Sequence, residues 1–76
     1  MIRSNVIHVE MTANNMRKQR EQSGLSTLEL SIALKGVPIN LIDDIESGRF
    51  IPTLEYMYDF CKYFSLSLDM VIVSVL

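Results

Sequence analysis

Few side chains in this sequence could take part in covalent or metal chemistry. The chain has one histidine, His8, one cysteine, Cys61, and one adjacent carboxylate pair, Asp43 and Asp44. His8 has no cysteine or carboxylate at metal-ligand spacing, and neighbouring aspartates on a helix point in different directions. Cys61 has no second cysteine with which to form an intramolecular disulfide. The sequence therefore predicts no enzyme activity, no metal site and no cofactor.

The composition describes one small domain with more apolar surface than it can easily bury. The 76 residues are 49% hydrophobic and carry a formal net charge of −2. A domain of this size buries a modest fraction of its surface, so part of the apolar content is expected to contact a second copy or a partner. A negative net charge argues weakly against strong nucleic-acid binding. No apolar run approaches the ~20 residues of a membrane-spanning helix.

Capping residues and a glycine delimit two helices in the first half of the chain. The first is predicted over 13–23 and ends at Gly24, which favours a left-handed cap. Ser26 and Glu29 form a capping box, so a second helix is expected over 27–34. Three residues near the amino end of this helix are capable N-caps: Thr12, Asn14 and Asn15.

Proline and a further glycine delimit two more helices. Pro38 suits the first turn of a third helix, which is expected to end at Gly48, and Thr53 caps a fourth. A short turn over 67–69 closes the helical region. Apolar residues recur at helical spacing in both helices, and these are expected to form the core: Leu41, Ile42 and Ile45 in the third, and Leu54, Met57, Cys61 and Phe64 in the fourth.

Both ends of the chain are rich in β-branched residues. Residues 5–10 and 71–76 each have strand-like composition, and His8 is expected to be a strand residue with one solvated face. Neither strand is stable alone, so they are expected to pair within one chain or across a dimer. We therefore divide the chain into an N-terminal segment, 1–11, a helical domain, 12–72, and a strand-like tail, 71–76.

From residue 13 to about 72 the chain resembles the Cro/CI-type helix-turn-helix domain, or XRE family, which includes phage repressors. Arg20 lies four residues before Gly24, and Glu46 lies two before Gly48, where family members place an arginine and an acid. The segments 52–54 and 64–69 follow the family's final helix and closing turn. The resemblance implies a mainly α, five-helix Cro/CI-like (lambda repressor-like) DNA-binding domain, here with short N- and C-terminal β-strands.

The resemblance also implies a structural ion pair and reveals one departure from the family pattern. In the family, the arginine and the acid form a partly buried pair, and we assign this role to Arg20 and Glu46. Between Leu30 and Glu46 the chain is one residue longer than usual. The extra residue lies near 32–36, where a bulge or a looser turn could absorb it. It could equally re-aim the third helix.

The family's third helix enters the DNA major groove, and the resemblance assigns contact residues on that basis. The base-reading candidates are Ile39, Asn40, Asp43 and Asp44. An amide can bond adenine and an isoleucine can touch a thymine methyl, whereas a carboxylate accepts from cytosine but is repelled by phosphate. The phosphate-contact candidates are Arg17, Lys18, Ser26, Thr27, Lys35 and Arg49.

Two functions remain open from the sequence. The first is a DNA-binding transcriptional regulator of the Cro/CI type that inserts its third helix in the major groove of double-stranded operator DNA as a homodimer. The second is a protein-binding module, such as an antirepressor, a repression modulator or an antitoxin-like protein, whose acidic third helix engages a partner such as a repressor. Either would act in the cytoplasm, with no cofactor, membrane or small-molecule ligand.

Overall fold

The computed structural model describes residues 6–72 and 74–75 of the chain. In chain order its elements are strand β1 (Val6–Ile7), helices α1 (Val9–Gln22), α2 (Thr27–Ala33), α3 (Ile39–Glu46) and α4 (Leu54–Phe64), a 3-10 turn (Leu68–Met70) and strand β2 (Ser74–Val75). The described residues thus form four α-helices, and the prediction of a fifth was wrong. A single 3-10 turn stands in its place, because Ser65 ends α4 in a left-handed conformation with φ 58°.

Helix α1 begins four residues earlier than predicted. His8 is its N-cap, and the His8 Nδ1 atom accepts a hydrogen bond from the Met11 amide at 3.3 Å. The expected caps are instead used inside the helix: Thr12 is fully buried, and the Asn15 amide donates to the Val71 carbonyl at 3.0 Å. Tertiary contacts therefore override the local capping preference of these residues. His8 is a helix cap, and the prediction of a strand residue was wrong.

The turn between α2 and α3 is looser than a single glycine cap would make it. The capping box of Ser26 and Glu29 begins α2 as predicted, and α2 continues without interruption to Ala33. Two consecutive residues then adopt left-handed conformations, Lys35 with φ 64° and Gly36 with φ 91°. The α2 hydrogen-bond ladder is therefore intact up to this turn, which lies in the segment where the extra residue was predicted.

One apolar core joins the four helices. Its fully buried side chains come from every helix and from the closing segment: Met16, Leu30, Ile42, Ile45, Phe60 and Val71. The residues predicted to form the core-facing side of α3 do so: Ile42 and Ile45 are part of this core, and Leu41 packs against it. The prediction for α4 was wrong at Leu54, which is 67% exposed, while Phe60 is fully buried. Met57 and Cys61 are buried as predicted, and the buried face of α4 also includes Tyr56 and Phe60.

The two terminal segments meet in a short antiparallel ladder. Val6 pairs with Val75, and Ile7 with Ser74. The rest of the predicted strands has another structure or lies outside the described residues. Val9 and Glu10 belong to α1, and Val71 follows the 3-10 turn and is buried. Residues 1–5, 73 and 76 are the part of these predictions that lies outside the described residues.

Candidate nucleic-acid interface

An ion pair between α1 and α3 fixes the helix that carries the predicted contact residues. The Arg20 guanidinium donates from Nε to Glu46 Oε2 at 2.8 Å and from Nη2 to Glu46 Oε1 at 2.9 Å. Its remaining nitrogen donates to the Leu25 carbonyl at 2.8 Å. The side chains are only 13% and 7% exposed, and hydrogen bonding to Glu46 raises the pKa of Arg20. This bidentate contact restricts both the position and the rotation of α3.

A second arginine reinforces the same helix end. Arg17 donates to the Glu46 carbonyl at 3.1 Å and also bonds the Asn14 side chain. A cation near the last carbonyls of a helix is favoured by the helix dipole. Arg17 is half-buried in these contacts, whereas its neighbour Lys18 is exposed. Arg17 is thus engaged in contacts within the domain, whereas Lys18 lies on its surface.

The outer face of α3 presents three of the four predicted base-reading residues to solvent. Asn40 and Asp43 are exposed, and Ile39 is 37% exposed. Pro38 caps the helix without a side-chain hydrogen bond, so the first amide groups of α3 have no capping side chain. Asp44 is half-buried at the side of the helix. The face available to a partner therefore begins with an apolar group and an amide, followed by a carboxylate.

Asp44 lies in the last turn of α3 and bonds the loop that follows the helix. Its carbonyl accepts hydrogen bonds from the Arg49 amide at 2.9 Å and the Ser47 hydroxyl at 3.0 Å. Its carboxylate lies 3.3 Å from the Arg49 guanidinium, which is 75% exposed. Gly48 allows this reversal of direction with φ 82°. Arg49 therefore reaches the surface as a cation already partnered by one carboxylate.

The amino end of α2 carries a carboxylate beside its free amide groups. Ser26 Oγ accepts from the Glu29 amide at 3.1 Å, and the Ser26 amide donates to Glu29 Oε1 at 2.8 Å. The second bond lowers the pKa of Glu29. Thr27 follows this cap and is half-buried. The capping box stabilises the helix but adds negative charge where a phosphate would approach.

Lys35 has an unusual position in this charge pattern. Between Ser26 and Gly48 it is the only lysine or arginine, whereas that segment contains four acidic residues. It is exposed in the α2–α3 turn and occupies a left-handed conformation that costs a non-glycine residue about 1 kcal/mol. Lys35 is therefore the one cation of the two-helix motif itself.

Sequence reasoning missed an apolar stripe on the outer face of α2. Leu28 is 56% exposed and Ile32 is 70% exposed. They lie four residues apart, so they share one face of the helix, opposite the buried Leu30 and Leu34. The spacing of these four residues could have revealed the stripe, because Leu30 and Leu34 define the core-facing side.

Within the described residues no cluster of histidine, cysteine or acidic side chains could hold a metal ion. No helix in that same part of the chain has the length and apolar character needed to span a membrane. Cys61 is buried, and burial raises its pKa, which disfavours the reactive thiolate.

The arrangement of α2 and α3, pinned to α1 through Arg20 and Glu46, defines a helix-turn-helix fold. Solved structures share it. The restriction-modification controller protein C.AhdI from Aeromonas hydrophila superposes with a TM-score of 0.75 at 16% identity, covering 83% of this chain and 94% of that one. The clp gene regulator ClgR from C. glutamicum superposes with a TM-score of 0.72 at 24% identity, covering 82% and 79%. Neither protein-family models nor curated protein sequences match the chain.

Proposed function

We propose that this protein is a DNA-binding transcriptional regulator that acts in the cytoplasm as a homodimer and places α3 in the major groove of a two-fold operator. The observation that carries the proposal is the pinned α3, whose exposed face begins with Ile39 and Asn40. Such a helix is rigid enough to read base edges. The two structural neighbours, a restriction-modification controller and a gene regulator by their names, lend further support.

Each exposed residue of α3 has a distinct role in this proposal. The Asn40 amide bonds an adenine edge, and Ile39 packs against a thymine methyl. Asp43 accepts from a cytosine amine and disfavours other bases. Three exposed cations contact phosphate: Lys18, Lys35 and Arg49. Because so few phosphates are neutralised, the salt dependence of binding is expected to be shallow.

The direct test is fluorescence anisotropy with DNA from the gene's own flanking region at two salt concentrations. Saturable binding that competitor DNA of unrelated sequence does not displace, and that weakens with salt, supports the proposal. Absence of binding at low salt overturns it. Asn40→Ala should relax sequence preference at one position and cost about ten- to a hundredfold for the preferred site. Lys18→Gln should weaken all sequences alike, and it serves as the matched comparison.

A second candidate function is a protein-binding module that engages a repressor, another regulator or a toxin through the same motif. The exposed Leu28 and Ile32 favour it, as does the neutralisation of Arg49 by Asp44. The double variant Asp43→Lys with Asp44→Lys separates the candidates. It should strengthen DNA binding if α3 faces phosphate, and it should abolish a complex in which α3 contacts a basic protein surface.

A further inference from the structure

Helix α4 exposes an apolar stripe flanked by opposite charges. Leu54 is 67% exposed and Tyr58 is 57% exposed, although both are large apolar residues. Leu54, Glu55 and Tyr58 line one surface groove with Leu68 of the 3-10 turn. Tyr58, Lys62 and Leu68 line the adjoining groove. We call this surface the α4 face and define it as Leu54, Glu55, Tyr58, Lys62 and Leu68.

The α4 face has an order of charge that complements itself. Glu55, Tyr58 and Lys62 follow a spacing of three and four residues, which places them along one side of the helix. Tyr58 lies near the midpoint, with the acid toward the amino end and the base toward the carboxyl end. If a second α4 packs antiparallel about Tyr58, Glu55 of each copy meets Lys62 of the other. A parallel arrangement would instead oppose like charges.

We propose that the α4 face is the homodimer interface, in which two α4 helices pack antiparallel across a two-fold axis near Tyr58. The inference rests on the homodimer in the proposed function and assigns it a surface. The occupant is a second copy because a two-fold contact buries the same patch on both chains and so requires self-complementarity. The exposed leucine and tyrosine supply the apolar centre, and the two Glu55–Lys62 pairs form its polar rim.

A charge swap tests this geometry in the full chain without DNA. Analytical ultracentrifugation over a concentration series gives the dimer dissociation constant. Glu55→Lys alone and Lys62→Glu alone should each weaken the dimer about tenfold, because each converts two attractions into two repulsions. The double variant should recover most of this loss. A wild-type chain that stays monomeric, single variants without effect, or a double variant without recovery would each overturn the proposal.

A pair of tyrosines provides the matched control. Tyr58→Glu should abolish the dimer, whereas Tyr63→Glu should leave it intact, because Tyr63 is similarly exposed at 50% but lines a different groove. Circular dichroism confirms that each variant is folded. DNA binding is measured separately. If the charge-swap test fails but the protein still binds DNA, the α4 face is rejected as the dimer interface and the proposal of a DNA-binding regulator stands. If the charge-swap test succeeds but the dimer binds no DNA, the α4 interface stands and the proposal of a DNA-binding regulator is rejected.

Discussion

Helix α3 contributes the acid to two arginine–carboxylate ion pairs, which differ in how far they are exposed to water. Glu46 faces inward, and its pair with Arg20 has side chains 7% and 13% exposed at 2.8 Å. Asp44 faces sideways, and its pair with Arg49 has side chains 28% and 75% exposed at 3.3 Å. Water screens the second pair but hardly reaches the first. The comparison shows that α3 has one side built for stability and another left available for contact.

The largest expected difference between the two pairs concerns stability. Glu46→Gln should lower the free energy of unfolding by about 3–5 kcal/mol, because it leaves the Arg20 charge buried without its partner. Asp44→Asn is the matched control and should cost less than about 1 kcal/mol. Urea unfolding followed by circular dichroism measures both. Similar losses for the two variants would contradict the distinction.

Tyr56, whose pKa depends on burial and on the charge of Glu46, provides a further test of the buried region around the Arg20–Glu46 pair. The Tyr56 hydroxyl is buried and has no hydrogen-bond partner among the described residues, and burial followed by the charge of Glu46 raises its pKa. Tyr56→Phe should therefore leave the free energy of unfolding unchanged or raise it by up to about 1 kcal/mol. Urea unfolding of the variant beside wild type measures this. A clear loss of stability would mean that the hydroxyl, like Glu46, is usefully bonded.

The exposed pair should affect binding more than stability. Asp44→Asn removes the carboxylate beside Arg49 and leaves that cation free for a phosphate. Affinity for DNA should rise, and the salt dependence should steepen by about one phosphate contact. Anisotropy titrations at several salt concentrations measure both quantities, with Arg49→Gln as the opposing control. Unchanged binding in both variants would remove Arg49 from the proposed interface.

The smallest effect concerns a third carboxylate, Glu29, which is exposed but bonded to the Ser26 amide. Its folded pKa is lowered, so its stabilisation is present above the ordinary pKa and is lost as pH falls through the folded value. A carboxyl titration by NMR should give a pKa below 4.5. Glu29→Gln keeps a side chain that can accept the hydrogen bond and should remove this contribution to the pH dependence. An ordinary pKa would show that the capping box is not formed in solution.

The helical framework could be predicted because its signals are local. The capping box at Ser26 and Glu29, the Thr53 cap and the glycine at Gly48 all act within one turn of chain. The Arg20–Glu46 pair came from the resemblance and is present with bidentate geometry. These features depend on residue type and short spacing, which the sequence contains in full.

The errors occurred where distant residues decided the outcome. Asn15 failed as a cap because its side chain bonds the Val71 carbonyl from the other end of the chain. Leu54 was expected in the core but is 67% exposed, whereas Phe60, which was not predicted there, is fully buried. Arg17, whose phosphate contact stays a prediction, also donates to the Glu46 carbonyl across the two helices. Periodicity identifies an apolar side of a helix but leaves its rotation about its axis uncertain.

The sequence by itself determined the limits of α2 and α3 and the start of α4 closely, and it determined the acidic character of α3, because composition and short-range capping govern these. Only the tertiary structure decided that the turn at Lys35 and Gly36 leaves α2 intact and that Leu54 and Tyr58 face outward. The physical reason is that burial depends on how several helices pack together, and no single segment contains that information.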